Sequence, residues 1–320
     1  MAKFIHSIMA HNETITADTV ITYDLPVNPL SFILVTIDLD QNLANVPLVF
    51  ANIPAMISRI EVLHKQSAIF SMNGLDMLAC GLFINGFESW GVNAYGNDND
   101  VRAFTFLVPL GRKMYDPREA FPRTTRGELQ LQITYQAAFV EIDAAAAQIE
   151  TLEMPEANPE RFLKMTTLAK TPAATGEFDV DLPIGNPISD LVLFGTTIPC
   201  ADAVITTIDQ VRILVDNIET FYARTNFETL HNLSGRKRAA PGYWGSHVHR
   251  LTEAAFAQYD DTGVNIPQDH ILSNHLHMPF DIWQDGQYML ETAGKSDVTC
   301  RITAGDTNPV RVIPCELVGV

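Results

Sequence analysis

The chain is a succession of short apolar stretches separated by glycine- and proline-rich breaks. Glu128–Tyr135 (ELQLQITY) has the clearest pattern: Leu129, Leu131 and Ile133 fall on one side and Gln130, Gln132 and Thr134 on the other, the period of a half-buried strand. Thr19–Tyr23, Leu30–Leu39, Ile57–Leu63 and Val101–Val108 read as strands in the first half. Phe178–Leu182, Ser189–Phe194, Ile208–Val215, Val298–Thr303 and Val310–Val318 do so in the second. The 18 glycines and 18 prolines punctuate these runs. Helical signals are few. Asn158 can cap and Pro159 suits a first turn, so Pro159–Ala169 is expected to be helical. Gly74–Cys80 and the alanine-rich Leu251–Tyr259 are expected to form two more short helices. This balance predicts a mainly β fold, a sandwich or barrel with a few short helices in linker and loops.

The two halves repeat one another. Asp24-Leu25-Pro26-Val27-Asn28-Pro29-Leu30 resembles Asp181-Leu182-Pro183-Ile184-Gly185-Asn186-Pro187-Ile188, and each runs on into an apolar strand. Ile57–Val62 resembles Ile208–Ile213, and Gly127–Thr134 resembles Lys295–Thr303. Before the last pair stand Phe106–Leu110 and His277–Phe280. The matches keep one order along both halves, which points to a duplication; the alternative is two unrelated β domains that share common words. Proline cannot donate to a ladder, so the Asp-Leu-Pro word marks the start or edge of a strand, expected here to be the first long strand of each sandwich. A length of 320 residues suits two domains of about 150 each. The expected division is 1–155, a partly helical linker at 156–175, and 176–320. The halves differ most at 223–277, expected to be an elaborated loop that either projects outward or clasps a neighbour.

Composition narrows the possible roles. Charged residues are 18% of the chain, below the usual ~25%, which suits a surface largely covered by copies of itself. The net charge is −17, split as −8 over residues 1–155 and −9 over the remainder. Neither half is a nucleic-acid platform, which needs clustered Lys and Arg, and Lys3 alone precedes Glu13, so no basic arm is expected. Cys80, Cys200, Cys300 and Cys315 form no CxxC pair and sit mostly in apolar runs, as buried free thiols suited to a reducing cytosol do. Met1–Ala10 lacks the pattern of a secretory signal, and no run of 18 apolar residues occurs.

Candidate chemistry is sparse. His247-Val248-His249-Arg250-Leu251-Thr252-Glu253 reads H-x-H-x-x-x-E, and Pro267–Asn274 reads P-x-x-H-x-x-x-N. Cupins, themselves jelly rolls, bind a metal through such motifs, so His247, His249, Glu253 and His270 are the candidate ligands of a metal-dependent, bicupin-like enzyme. The motif glycines are misplaced or absent, however, and the spacing from Glu253 to His270 is too short for the strands between. Polar loop histidines are therefore the reading preferred. Asn97-Asp98-Asn99-Asp100 alternates oxygen donors but lacks the closing Glu of a calcium loop and reads as a solvated turn. Arg236-Lys237-Arg238 reads as a solvated loop. Exposed-looking aromatics such as Trp90, Tyr95 and Trp244 are the only support for a carbohydrate-binding module, and sandwich cores use these too. No nucleophile elbow, P-loop or dinucleotide fingerprint occurs. No catalytic residue, metal ligand or cofactor is assigned.

The paired words at Asp24–Leu30 and Asp181–Ile188, Ile57–Val62 and Ile208–Ile213, and Gly127–Thr134 and Ser296–Thr303 imply one eight-stranded sandwich made twice. In this the chain resembles, over nearly its whole length, the double jelly-roll major capsid proteins of tailless, membrane-containing icosahedral bacteriophages and the related adenovirus lineage. The resemblance implies two tandem jelly rolls, pseudo-hexagonal homotrimers and a tiled virion shell made in the host cytoplasm. Its partners would be other copies of the chain, further capsid proteins at the vertices and an internal lipid membrane, with no direct nucleic-acid contact and no enzymatic activity. Met1–Ile8 would run along the inner side of the shell or be a frayed end.

Overall fold

Alternation at Glu128–Tyr135 becomes one strand in a layered arrangement. The computed structural model describes residues 3–42, 52–87, 89, 101–136, 142–197, 206–238, 258–259, 265–266, 272 and 274–320. The chain divides into two compact units, Met1–Thr166 with Val318–Val320, and Thr167–Leu317. The first contains β1 (Ile5–Thr14), β2 (Val20–Asp24), β3 (Leu30–Gln41), β4 (Ile57–His64), β5 (Ser67–Met72), β6 (Val101–Pro109), β7 (Leu129–Tyr135), β8 (Ile142–Glu153) and β9 (Arg161–Thr166). One sheet has the order β1-β8-β3-β6 and the other β9-β5-β4-β7-β2. Ile33, Val35 and Ile37 of β3 and Ile60, Val62, Leu131 and Ile133 of β4 and β7 are fully buried. Gln130, Gln132 and Thr134 are only partly covered, as the alternation requires.

The second unit contains β10 (Leu168–Lys170), β11 (Gly176–Asp181), β12 (Ile188–Gly195), β13 (Gln210–Val215), β14 (Ile218–Glu219), β15 (Thr225–Asn226), β18 (His275–Pro279), β19 (Val298–Ala304) and β20 (Val310–Gly319). Its sheets run β10-β20-β12-β18 and β11-β19-β13-β14, with β15 also on β13. A small hairpin of β16 (Gln258–Tyr259) and β17 (Asn265–Ile266) accompanies it. Element by element, this is the order of the first unit: β1, β8, β3 and β6 match β10, β20, β12 and β18, while β2, β7 and β4 match β11, β19 and β13. Such eight-position, two-sheet antiparallel architecture is a jelly roll. The core of the second is Leu191, Leu193, Val211, Ile213, Cys300 and Ile302 with their neighbours.

All four repeated words occupy equivalent register positions. Ile60 faces Ile133 as Val211 faces Ile302. Val108 faces Ile33 as Met278 faces Leu191. The Asp-Leu-Pro words form the β2–β3 and β11–β12 corners, where the chain crosses from one sheet to the other. They lead into the third strand of each sandwich, which is the first long one in the second unit, after β10 and β11, but not in the first. The ten-residue β1 precedes the first corner, and its alternating exposure conceals it from an apolar-run search. Ile5–Ile8 are thus part of β1, paired with β8, and do not form an extended arm.

Helix α1 (Asn52–Ala55) is a single turn, and α2 (Gly74–Asn85) confirms the expected helix near Gly74–Cys80. Asn73 caps α2 by accepting from Asp76 N at 2.8 Å, and Gly86 ends it at φ 66° with its N–H bonded back into the last turn. Helix α3 (Phe227–Arg238) occupies the corresponding place in the second unit, after the fifth strand. Pro159–Ala169 is not helical. It forms β9 and β10, because Leu163 and Met165 bury at period two while Lys164 stays partly exposed, and Phe70 is available for parallel pairing with Met165. A capping signal cannot outweigh a sheet edge in need of a partner. Leu251–Ala257 lies outside the described residues, and Gln258–Tyr259 is strand. Among the described residues no helix is long and apolar enough to cross a membrane.

Candidate functional site: locks, buried polar groups and exposed loops

Each corner carries one built-in lock. Asn28 Nδ2 donates to Glu153 Oε2 at 2.7 Å, and Asn186 Nδ2 donates to Glu316 Oε2 at 3.0 Å. The backbone repeats this: Leu30 exchanges two hydrogen bonds with Phe121, and Ile188 does so with Leu290. Met154 N bonds Pro29 O as Leu317 N bonds Pro187 O. The second corner has one additional residue, Gly185 at φ 122°, whose N–H takes the Thr292 hydroxyl as acceptor at 2.9 Å.

The long connections from sixth to seventh strand position are held differently. In the first unit (residues 110–128) Arg112 is fully buried and binds Glu119 through Nε at 3.1 Å and Nη2 at 2.5 Å. Arg161 adds Nε–Oε1 at 2.9 Å. Burial alone would push the Glu119 carboxyl up, but the two guanidiniums outweigh it and hold it below the ordinary range. Gly111 permits this packing, since a Cβ there would lie 2.1 Å from the Glu119 carbonyl oxygen. In the second unit (residues 280–297) Asp281 accepts from Gly286 N at 2.7 Å, and the Thr292 hydroxyl donates to Asn186 O at 2.6 Å.

The outer faces of the β3- and β12-containing sheets also differ. Phe32, Leu107 and Leu152 form an apolar cluster in the first. Register places Asp190, His277 and Cys315 at the same positions in the second. His277 Nε2 and Asp190 Oδ1 are 2.8 Å apart, each side chain 2% exposed. Among the described residues Asp190 Oδ2 has no hydrogen-bond partner. Cys80, Cys300 and Cys315 are buried, and burial pushes the Cys300 thiol up to about 12, so it is inert. Cys200 lies outside the described residues.

Surface chemistry concentrates on the connections at one end of each sandwich. Ile218 and Phe221 in the β13–β15 turn, with Ile282, Trp283 and Tyr288 in the long connection, are all about half exposed or more; Trp283 is 75% exposed. In the first unit, Tyr115 is exposed, and a cleft of about 400 Å³ opens between Pro29, Pro122, Arg123, Pro155, Pro159 and Val320. The sequence pattern does not single out Trp283; only its exposure on a tied loop does.

The sequence-derived site residues are not tested by this geometry. His247, His249, Glu253 and His270 lie outside the described residues, as do Asn97–Asp100, Trp90, Tyr95 and Trp244. Among the described residues no group of three or more His, Cys, Asp or Glu side chains could hold a metal. Arg236–Arg238 end α3 rather than forming part of an irregular loop.

No protein-family model and no curated protein matches the sequence. Solved structures do match it. The STIV MCP aligns at TM-score 0.69 over 99% of this chain and 97% of its own, with 11% identity. The major capsid protein P2 of bacteriophage PM2 aligns at 0.60 over 99% and 98%, with 11% identity. PBCV-1 VP54, as fitted into a reconstruction of the virophage Sputnik, aligns at 0.63 over 99% and 94%, with 9% identity. The chain therefore has the double jelly-roll fold of viral major capsid proteins. Of these three relatives in fold, PM2 P2 is the bacteriophage protein.

Proposed function

We propose that this chain is a major capsid protein, a structural subunit with no catalytic role. The observation that carries the reading is the duplicated jelly roll, which aligns over almost the full length of both this chain and capsid subunits. In this reading three chains supply six near-equivalent sandwiches, so a trimer presents a pseudo-hexagonal outline that tiles an icosahedral shell. The low charged fraction suits wide contacts between copies, whose centres are depleted of charge. Net acidity suits a shell that leaves the genome untouched, with other capsid proteins at the vertices and an internal membrane beneath. The protein would reside in the virion after synthesis in the host cytoplasm.

The mass in solution tests this. Light scattering should give about three times 35.4 kDa, and electron microscopy of concentrated protein should reveal pseudo-hexagonal particles. A monomer at every concentration, with a stoichiometric transition metal bound, would instead favour the cupin-like enzyme.

A further inference from the structure

The equivalent long connections of the two sandwiches carry opposite charge. Residues 110–128 contain Arg112, Lys113, Arg118, Arg123 and Arg126 against Asp116, Glu119 and Glu128, a net of +2 in a chain of −17. The Arg112 and Glu119 charges are buried against each other, and the exposed ionic side chains there are Lys113, Arg118, Arg123 and Arg126, all cationic. Residues 280–297 contain Asp281, Asp285, Glu291 and Asp297 against Lys295, a net of −3; Asp281 is buried and Asp297 half-buried, and the exposed ionic side chains are Asp285, Glu291 and Lys295. The neighbouring turns follow suit: Lys65 in the first unit, Asp216 and Glu219 in the second.

The shapes also correspond. The acidic connection projects Trp283 from a loop tied by Asp281 to Gly286 N and by Asp285 to Gln287 N. A loop so ordered presents its aromatic group with little entropy left to lose. The basic connection borders the proline-lined cleft of about 400 Å³, room enough for an indole, with Arg123 on the side of that connection and Glu156 also in the lining. Aromatic anchors seated in pockets dominate interface energies, and a guanidinium favours an indole face. Trp283 and Arg123 are both exposed in the isolated chain, and the Arg123 guanidinium is held in the cleft wall by Pro155 O at 3.3 Å and Asn28 Oδ1 at 3.4 Å, leaving its face open.

We propose that the acidic 280–297 connection of one copy docks on the basic 110–128 connection of a second copy, with Trp283 in the cleft beside Arg123. This rests on the capsid reading and assigns it an interface. Two different patches that fit each other make a heterologous contact, and such contacts close into rings when the rotation permits. First and second sandwiches would then alternate around the ring.

The test is charge exchange on the full chain, read by sedimentation at low and high salt. W283A, D285K/E291K and R118E/R123E should each weaken self-association at least about tenfold, with native circular dichroism and melting. The chain carrying both reversals should return to within about threefold of the unaltered protein, because the signs again oppose. Unchanged association in either single-loop reversal, or no recovery in a folded chain with both, would overturn the docking while leaving self-association intact. If the unaltered protein is monomeric throughout, the capsid reading itself fails.

Discussion

The two sandwiches share their strand order, register and corner locks, yet at matching positions one is apolar where the other is polar. Phe32, Leu107 and Leu152 cover the outer face of one sheet; Asp190, His277 and Cys315 cover its counterpart. One long connection is pinned by Arg112 and Arg161 on the buried Glu119, the other by Asp281, Asp285 and the Thr292 hydroxyl. Inward-facing apolar positions and the Asn–Glu locks are thus enough to define a jelly roll. The outer faces and connections are left to vary, because changing them disturbs no strand pairing.

The largest expected effect lies in the first sandwich. Glu119→Ala takes a carboxylate away from buried Arg112 and from Arg161 and should cost about 4 kcal/mol in urea unfolding, while Asp281→Ala in the second should cost less than half of that. Equal losses would show that the connections are held equally. The pH dependence has a definite sign. Glu119 is held low when folded, so its contribution is complete above the unfolded carboxylate range and is lost as pH falls through the lower, folded value. Acid unfolding of Glu119→Gln should lack this component.

Next comes the buried polar pair. Asp190→Ala should cost about 3 kcal/mol, since it strips His277 of a buried partner. Asp190→Phe with His277→Leu, which copies the first sandwich, should recover at least half of the loss. A double variant no more stable than the single would break the positional equivalence. Smaller still, Asn28→Ala and Asn186→Ala should each cost about 1.5 kcal/mol, and should match, because both donate to a carboxylate across the same corner. Unequal losses would mean that Gly185 alters the second lock. Smallest is Arg301→Ala, which removes a partly exposed pair with Asp179 and should shift stability by about 0.5 kcal/mol, with the effect shrinking as salt rises.

Much of this was legible without coordinates. Strands with an apolar side, such as Leu30–Gln41 and Leu129–Tyr135, announce themselves by period, and the collinear words at the corners and in β4, β7, β13 and β19 revealed the duplication. Strands whose faces are both mixed did not. Edge strand β1 has little burial to pattern it, β8 carries the alanine run Ala144–Ala147, and Arg161–Lys170 bears a helix-start signal. Their state depends on a neighbouring strand offering a ladder, a non-local term that no window of sequence contains.

The same division holds for the surfaces. Sequence by itself determined that the chain is two copies of one β unit, acidic overall, with four well-separated cysteines. Only the tertiary structure decided that Asp190 and His277 meet, that Arg112 and Arg161 share Glu119, and that the Trp283 loop corresponds to a basic one. Each of these relations joins residues through strand register, and register is set by which apolar faces bury together across the whole sandwich.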